Sequence, residues 1–501
     1  MRYVVIVALW LLPCALFCGH PEDSARADAL VRQTLKALAP PGATAFDFRQ
    51  SVRRLGHMSR PWQTFNRDAA GSFLLERDGT SFYRSDSARI GRDVGASFAL
   101  FSDTSFALIR YGSEKPAAAT PRDRQRYLYE VSALTPVFLL RDFLRRQHEG
   151  ALPRRVGGAV DSIIYTGSDG AIISLAIDPD SALIRSAKIV LGDDLYGDVT
   201  KLVTFDHYAS AADGGLRYPS RIVVNELGFD ASIATITQSA RRFDAGPIVE
   251  RIPPGYHLLD DPPEPPVEVV RHDYNPRIHL LELSHADARV LVVEFNEYLL
   301  VAEAPLNSKN GELIIAKARE IAPAKPIRYF VFGHHHPHYI GGIRAFIHNG
   351  ATVLCTPGDS AYVRQLASFT RSLAPDSLAI EPRPLRLEMV EGETNISDGE
   401  MEMRIIHIGE MSHHTDDYLI YYFPQYRLLY QGDLAAITED GAVKKATEPQ
   451  RGLYDAIVRY GLDVATIVQS WPLRGYGVKT IFEFDELRRS VELMQQGETP
   501  K

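Results

Sequence analysis

The sequence predicts an α+β protein of two domains: an antiparallel β-rich domain that holds a helix, then a domain in which strands alternate with helices. Three observations lead there. Between residues 171 and 238, short segments alternate apolar and polar residues and are separated by turn clusters. A proline-rich stretch over 251–267 then breaks the periodicity. Beyond it, strand-length apolar runs alternate with a helix-length pattern. The 501 residues suit about two to four domains, of which two are read here. A composition of 45% hydrophobic and 24% charged residues excludes a collagenous, low-complexity or disordered chain.

The amino terminus carries the first separate element. Met1-Arg2 is a short positive start, and residues 3–17 form an uncharged apolar stretch too short for a comfortable membrane span. Residues 1–27 therefore read as a signal peptide, with the small residues Ala25 and Ala27 marking a cleavage site. Cutting nearer Cys18 or Gly19, and an uncleaved anchor, remain open alternatives. Phe17 before Cys18 and Pro13 before Cys14 both fit lipidation badly. The expected location is exported: periplasmic or envelope-associated, or secreted. Of the three cysteines only Cys355 falls outside the signal, so no internal disulfide is expected, and its apolar run makes it a small core residue.

Residues 28–250 form the first domain. An Ala/Leu-rich helical pattern opens it, and strands follow at 171–178, 183–191, 199–207, 221–226 and 231–238. Asp-Pro-Asp, Gly-Asp-Asp and Asp-Gly-Gly clusters separate them, which describes an antiparallel meander. One helix interrupts it: Thr135 is the N-cap, Pro136 opens the first turn, and Val137, Leu140, Phe143 and Leu144 form an apolar stripe that ends near Gly150. A curved antiparallel sheet holding a helix resembles the bacterial lipoprotein-carrier fold. That resemblance implies a lipid partner at the concave face; the plainer reading is a structural appendage or the contact surface of a homodimer.

Residues 268–496 form the second domain. Strands are expected at 278–283, 290–294 and 298–302, a helix at about 312–321, and a strand at 327–332. That last strand runs into Gly333-His334-His335-His336-Pro337-His338-Tyr339-Ile340-Gly341-Gly342, with four histidines in five positions. In an extended or turning segment, residues i and i+2 project together, so His334 and His336 can present two imidazoles to one ion at about 2.0–2.1 Å. A third ligand must come from elsewhere, and His414, in the segment before the strand 418–423, is the candidate. His335 and His413 are read as neighbours facing away.

The order of these segments resembles the metallo-β-lactamase fold superfamily over about 268–496. Val301-Ala-Glu-Ala-Pro305, the following helix, Lys325-Pro-Ile-Arg-Tyr-Phe before the histidines, Gly341-Gly342, Gly350-Ala-Thr-Val-Leu, His414-Thr-Asp and the hairpin ending Gly432-Asp433 follow the family order. The resemblance implies an αββα sandwich with a metal site. The family motif is His-x-His-x-Asp-His before a Gly-Gly pair, followed by a His, an Asp after a Gly, and a final His. Counted back from Gly341-Gly342 without a gap, His334 and His336 match the first two histidines, whereas His338 stands at the aspartate and Tyr339 at the next histidine. The final histidine is replaced in Val468-Gln-Ser-Trp-Pro-Leu-Arg474-Gly475, which puts Arg474 there.

These departures fall on one metal position. His334, His336 and His414 remain as a three-histidine site, and Asp433 is left as ligand, as hydrogen-bond partner of a ligand, or as partner of Arg474. A gapped register, with His336 and His338 as the pair, stays open. The implied reading is an exported mononuclear hydrolase of an ester, lactone, thioester or amide, working through a metal-bound water. Asp433, His338 and Tyr339 are its catalytic candidates: His338 as a proton carrier, a further ligand or a pocket-lining group, and Tyr339 as an oxyanion donor beside the plainer reading of a packed aromatic with a hydrogen-bonded hydroxyl. Zinc suits imidazole, with iron and manganese as alternatives. The competing reading is a degenerate, non-catalytic member that binds a ligand or lipid in the envelope. His57, His148, His207, His257 and His348 have no supporting context. With 55 basic against 63 acidic residues and no basic run, nucleic acid is not expected as a partner; a small-molecule substrate is.

Overall fold

The computed structural model describes residues 21–39, 42–54, 65–76, 79–90, 93–102, 106–109, 121–148, 154–156, 161–212, 216–239 and 266–498. The apolar start with Cys14 and Cys18, as well as His57, His257 and residues 251–265 of the proline-rich stretch, lie outside them. Ala25 and Ala27 fall inside the first helix, and Ala27 is buried in the core. No helix among the described residues is long and apolar enough to cross a membrane. The chain divides into two compact units, one of residues 1–55, 63–192 and 198–263, the other of 56–62, 193–197 and 264–501.

In the first unit two antiparallel meanders join edge to edge, with helices against them. Its elements in order are α1 (Pro21–Leu38), β1 (Thr44–Arg54), β2 (Phe65–Leu75), β3 (Ser81–Ile90), β4 (Asp93–Ser102), β5 (Phe106–Ile109), α2 (Pro121–Val131), α3 (Val137–His148), β6 (Arg154–Val156), β7 (Asp161–Thr166), β8 (Ile172–Asp178), β9 (Leu183–Asp193), β10 (Gly197–Ser210), β11 (Arg217–Glu226) and β12 (Phe229–Gln238). Among the described residues these strands form one twelve-stranded sheet, in which β1 pairs antiparallel with both β2 and β12. The sequence places β8 through β12 by their period of two: Ile173, Leu175 and Ile177 are buried while their neighbours in β8 are half-buried. The α3 stripe behaves as its spacing requires. The Val137 N–H donates to Thr135 Oγ1 at 3.4 Å, and Val137, Leu140 and Phe143 pack into the same core as Phe46, Phe73 and Ile173. Each such side chain contributes about 1.5–3 kcal/mol of burial.

The second unit is a four-layer α/β sandwich. Its first half holds β13 (Val269–Asn275), β14 (Ile278–Leu283), β15 (Ala288–Glu294), β16 (Leu299–Ala302), α4 (Ser308–Ile321), β17 (Ile327–Val331), α5 (Pro337–Ile340), α6 (Ile343–Asn349), β18 (Thr352–Cys355), α7 (Ser360–Ser368), α8 (Ser377–Ile380) and β19 (Arg386–Met389). Its second half holds β20 (Glu393–Ser397), β21 (Glu402–His407), β22 (Leu419–Phe423), β23 (Leu428–Gln431), α9 (Glu448–Arg459), β24 (Thr466–Gln469), β25 (Ile481–Glu483) and α10 (Phe484–Glu498). The strands form a seven-stranded sheet ordered β13 to β19 and a six-stranded sheet ordered β20 to β25. Hairpins join β13 to β16, whereas β16, β17 and β18 run parallel because α4 and α6 carry the chain back between them.

Period-two alternation with both faces apolar builds the four layers. In β22, Leu419, Tyr421 and Phe423 meet Leu291, Leu300 and Val331 between the sheets. Ile420 and Tyr422, from the same strand, turn outward to Leu453, Ala456 and Ile457 of α9 and to Leu487 of α10. On the other side α6 packs on β17 and β18. The two-domain α+β arrangement and the αββα order expected from the sequence are both present. Cys355 is a free, fully buried thiol in β18, and burial pushes it up to about 12, which removes it as a nucleophile.

Candidate metal centre

The site lies where loops from both sheets meet. β17 ends at Val331 and feeds the turn that carries His334 and His336; β23 ends at Gln431 and is followed by Gly432 and Asp433. His414 precedes β22, in a turn built by Ser412, whose Oγ accepts from the N–H groups of His414 and Thr415, each at 3.1 Å. Two backbone contacts lock the histidine turn in place. The Leu419 N–H donates to the Gly333 carbonyl at 2.7 Å, and the Gly333 N–H donates to Glu303 at 3.1 Å. Gly341 lets the chain return closely: a Cβ there would stand 2.3 Å from the Leu306 carbonyl carbon.

His334, His336, His414 and Asp433 converge, with one ligand atom from each lying within 4.8 Å of the others. His334 Nε2 and His336 Nδ1 are 2.9 Å apart, and Asp433 Oδ2 is 3.3 Å from His414 Nε2 and 3.9 Å from His334 Nε2. A tetrahedral ion with bonds of about 2.0–2.1 Å needs donor atoms about 3.3 Å apart. Three imidazoles and a carboxylate at this spacing fit one borderline-soft divalent ion. The ring of His334 is fully buried between tyrosines, with Tyr339 at 4.2 Å and Tyr418 stacked at 4.8 Å. Its Nδ1 has no hydrogen-bond partner among the described residues.

Charges follow from burial. Desolvation holds His334 well below the ordinary histidine range, so the imidazole is neutral, as a metal ligand must be. Burial opposes ionisation of Asp433, but the attraction of His334 and the contact with His414 hold its carboxyl below the usual carboxylate range. With His334 neutral, the His414 contact is the pull that matters. The hydrogen bond with Asp433 in turn raises His414.

Two supporting groups escaped the sequence reading. The Tyr418 hydroxyl donates to Asp433 Oδ1 at 3.1 Å and accepts from the Asp433 N–H at 2.9 Å, which leaves Oδ2 for the histidines. Gly432 permits this approach, since a Cβ there would lie 2.6 Å from the Tyr418 oxygen. Glu303 is fully buried at φ 77° beneath the histidine turn, bonded to the Gly333 N–H and the Tyr421 hydroxyl. Burial raises it well above the usual carboxylate range. An acidic residue in the apolar run 299–305 was its signal; Tyr418 gave none, because a tyrosine beside a strand usually signals core.

The remaining candidates lie around this quartet. His338 is half-buried in α5, outside the group of four, with its ring 5.3 Å from Trp471; burial lowers it, against the charges of Asp433 and Asp287. The Tyr339 ring packs on His334, and burial keeps its hydroxyl protonated. His335 turns to Asp359 at 4.0 Å, and His413 is exposed at the cap of a short turn with φ 49°. Arg474 is exposed, and it makes no ion pair with Asp433 among the described residues. The backbone N–H groups of Leu473 and Arg474 both donate to Asp287 Oδ1, which fixes the turn so that Trp471, not Arg474, faces His338. Among the described residues His348 reaches the Glu381 carbonyl at 3.1 Å, and His207 stands at φ 50° in β10.

No family model and no curated protein matches the chain. Solved structures do. A metallo-beta-lactamase from Pontibacter korlensis is 15% identical at a TM-score of 0.34, over 46% of this chain and 99% of that one. The metallo-beta-lactamase FIM-1 from Pseudomonas aeruginosa, in its mono-zinc form, is 16% identical at 0.34, over 47% and 98%. A metallo-beta-lactamase from Erythrobacter litoralis is 15% identical at 0.34, over 46% and 97%.

Proposed function

We propose that the second unit is a metallo-β-lactamase-fold hydrolase that holds one zinc-class ion on His334, His336, His414 and Asp433 and acts on an ester, lactone, thioester or amide carbonyl. The observation that carries this reading is the convergence of four donor atoms within 4.8 Å. When bound, such an ion supplies a Lewis acid for a carbonyl oxygen and makes water more acidic. The chain's own groups do the rest. Neutral His334 offers Nε2, ionised Asp433 offers Oδ2, and Tyr418 fixes Oδ1 so that the carboxylate cannot rotate. His338, within the field of Asp433, would take up and return a proton. Tyr339 keeps its proton and packs against His334, where it supports the ring. Export through the apolar start belongs to the same proposal, and fractionation of cells expressing the full chain tests it.

The decisive experiment is metal content by elemental analysis on protein made without a histidine tag, wild type beside His336→Ala, followed by turnover on ester and lactone panels. One equivalent of metal that disappears with His336→Ala, together with turnover, is the expected result. Protein that takes up no stoichiometric metal after zinc reconstitution overturns the reading. Metal without turnover leaves a ligand-binding member of the same fold.

A further inference from the structure

The segment after β24 carries aromatic surface that core packing does not account for. Tyr476 is 61% exposed, and its ring lies 5.3 Å from Trp471, which in turn lies 5.3 Å from His338. Ring contacts thus connect Tyr476 through Trp471 to His338, which lies 6.3 Å from Tyr339, the ring packed on His334. The segment is not a loose loop. The Trp471 N–H donates to the Gly432 carbonyl beside Asp433 at 3.0 Å, and Asp287 holds the next turn through the Leu473 and Arg474 N–H groups. At its far end the Glu439 N–H donates to the Gly477 carbonyl, the Lys479 N–H donates to the Ile437 carbonyl, and Thr438 bridges Val478. Gly475 and Gly477, at φ 79° and 65°, flank Tyr476 and turn the backbone so that its ring stays outside.

This fixed backbone holds a largely exposed ring against a half-buried tryptophan, so binding can bury ring surface that the free protein leaves in water. A third flat group gains more on binding there, because ring pairs add attraction beyond the area they bury. We propose that Trp471 and Tyr476 form an aromatic subsite of the metal centre, and that the substrate carries an aryl or similarly flat apolar group next to the carbonyl that is cleaved. This rests on the hydrolase reading for the carbonyl, but the ring-binding surface stands on its own contacts.

Two thiols test it with the full chain: phenylmethanethiol, which has the ring, and ethanethiol, which lacks it. Zinc-loaded and metal-free protein are titrated with each, and binding is read from tryptophan fluorescence. The chain has three tryptophans, Trp10, Trp62 and Trp471, so Trp471→Phe supplies the background. We expect zinc-loaded wild type to bind phenylmethanethiol about tenfold more tightly than ethanethiol. Tyr476→Ala, at a position that surrenders little packing, is expected to bring that ratio to about twofold without changing the ethanethiol affinity. In metal-free protein the ring-bearing thiol still quenches Trp471 and ethanethiol does not. A ratio unchanged in Tyr476→Ala, or quenching equal for the two thiols, overturns the subsite. If zinc strengthens neither thiol while ring-dependent quenching of Trp471 persists, the hydrolase reading fails and the subsite stands.

Discussion

Tyr418→Phe isolates the tie between the sandwich core and the metal centre. The substitution keeps the ring that stacks on His334 and removes only the hydroxyl, so no cavity opens. Three hydrogen bonds go: the donations to Asp433 Oδ1 at 3.1 Å and Gln431 Oε1 at 3.4 Å, which share one proton, and the acceptance from the Asp433 N–H at 2.9 Å; Gln431 Oε1 keeps the Leu434 N–H, so the Asp433 pair carries the cost. A bond to an ionised acceptor is worth about 1.5–3 kcal/mol, and a buried N–H left without a partner costs about 1–3 kcal/mol. The two losses share one oxygen and overlap, so the expected destabilisation of the metal-free protein is about 3 kcal/mol. For a unit of this size that lowers the melting temperature by about 6–12 °C. With Oδ1 released, Asp433 swings, and zinc affinity should fall by about 10–100-fold. Urea unfolding of metal-free protein, followed through the transition that zinc shifts, reads the first number; competition with a chelator reads the second. A loss below about 1 kcal/mol with zinc affinity unaltered would refute the reasoning, since Asp433 would then be held without Tyr418.

Three further outcomes follow from the same geometry. Glu303→Gln tests the buried carboxyl: its pKa is raised in the folded state, so the native chain holds a proton that the unfolded chain releases above the ordinary carboxylate value. Wild-type stability should therefore fall by up to about 1.4 kcal/mol per pH unit from that value upward, until the folded group ionises. The glutamine variant should lack this slope in urea titrations of metal-free protein at pH 5 and pH 8, and equal slopes would count against a protonated Glu303. Gly341→Ala should cost about 1–3 kcal/mol, because its methyl would meet the Leu306 carbonyl carbon at 2.3 Å; a thermal melt equal to wild type would show that the backbone yields there. Asp433→Asn keeps an acceptor for Tyr418 but removes the charge, so zinc affinity should drop at least about tenfold while the metal-free protein stays folded; unchanged competition against a chelator would remove Asp433 from the donor set.

Local chemistry made much of this protein legible in its sequence. The period of two in 171–238, the capped stripe from Val137 to Leu144 and the alternation beyond residue 278 depend on neighbours a few positions apart, and β8 to β12, α3 and β14 to β17 lie where that patterning puts them. The pair His334 and His336 was visible for the same reason, since i and i+2 are close in any extended turn. Long-range chain closure decided the rest. The pairing of β1 with β12 spans most of the first unit, and no local signal announces it. Tyr418, Glu303 and Trp471 acquire their places only because the loops of two sheets meet at one end of the sandwich. Arg474 shows the limit most plainly: the family resemblance, which sets Arg474-Gly475 against the usual His-Gly, put it at the site, yet two backbone N–H groups captured by Asp287 turn the chain and bring Trp471 to His338 instead. A sequence states which residue types are near in chain order. Which of them face one another is set by the packing of the sheets, where burying apolar area outweighs the preference of any single turn.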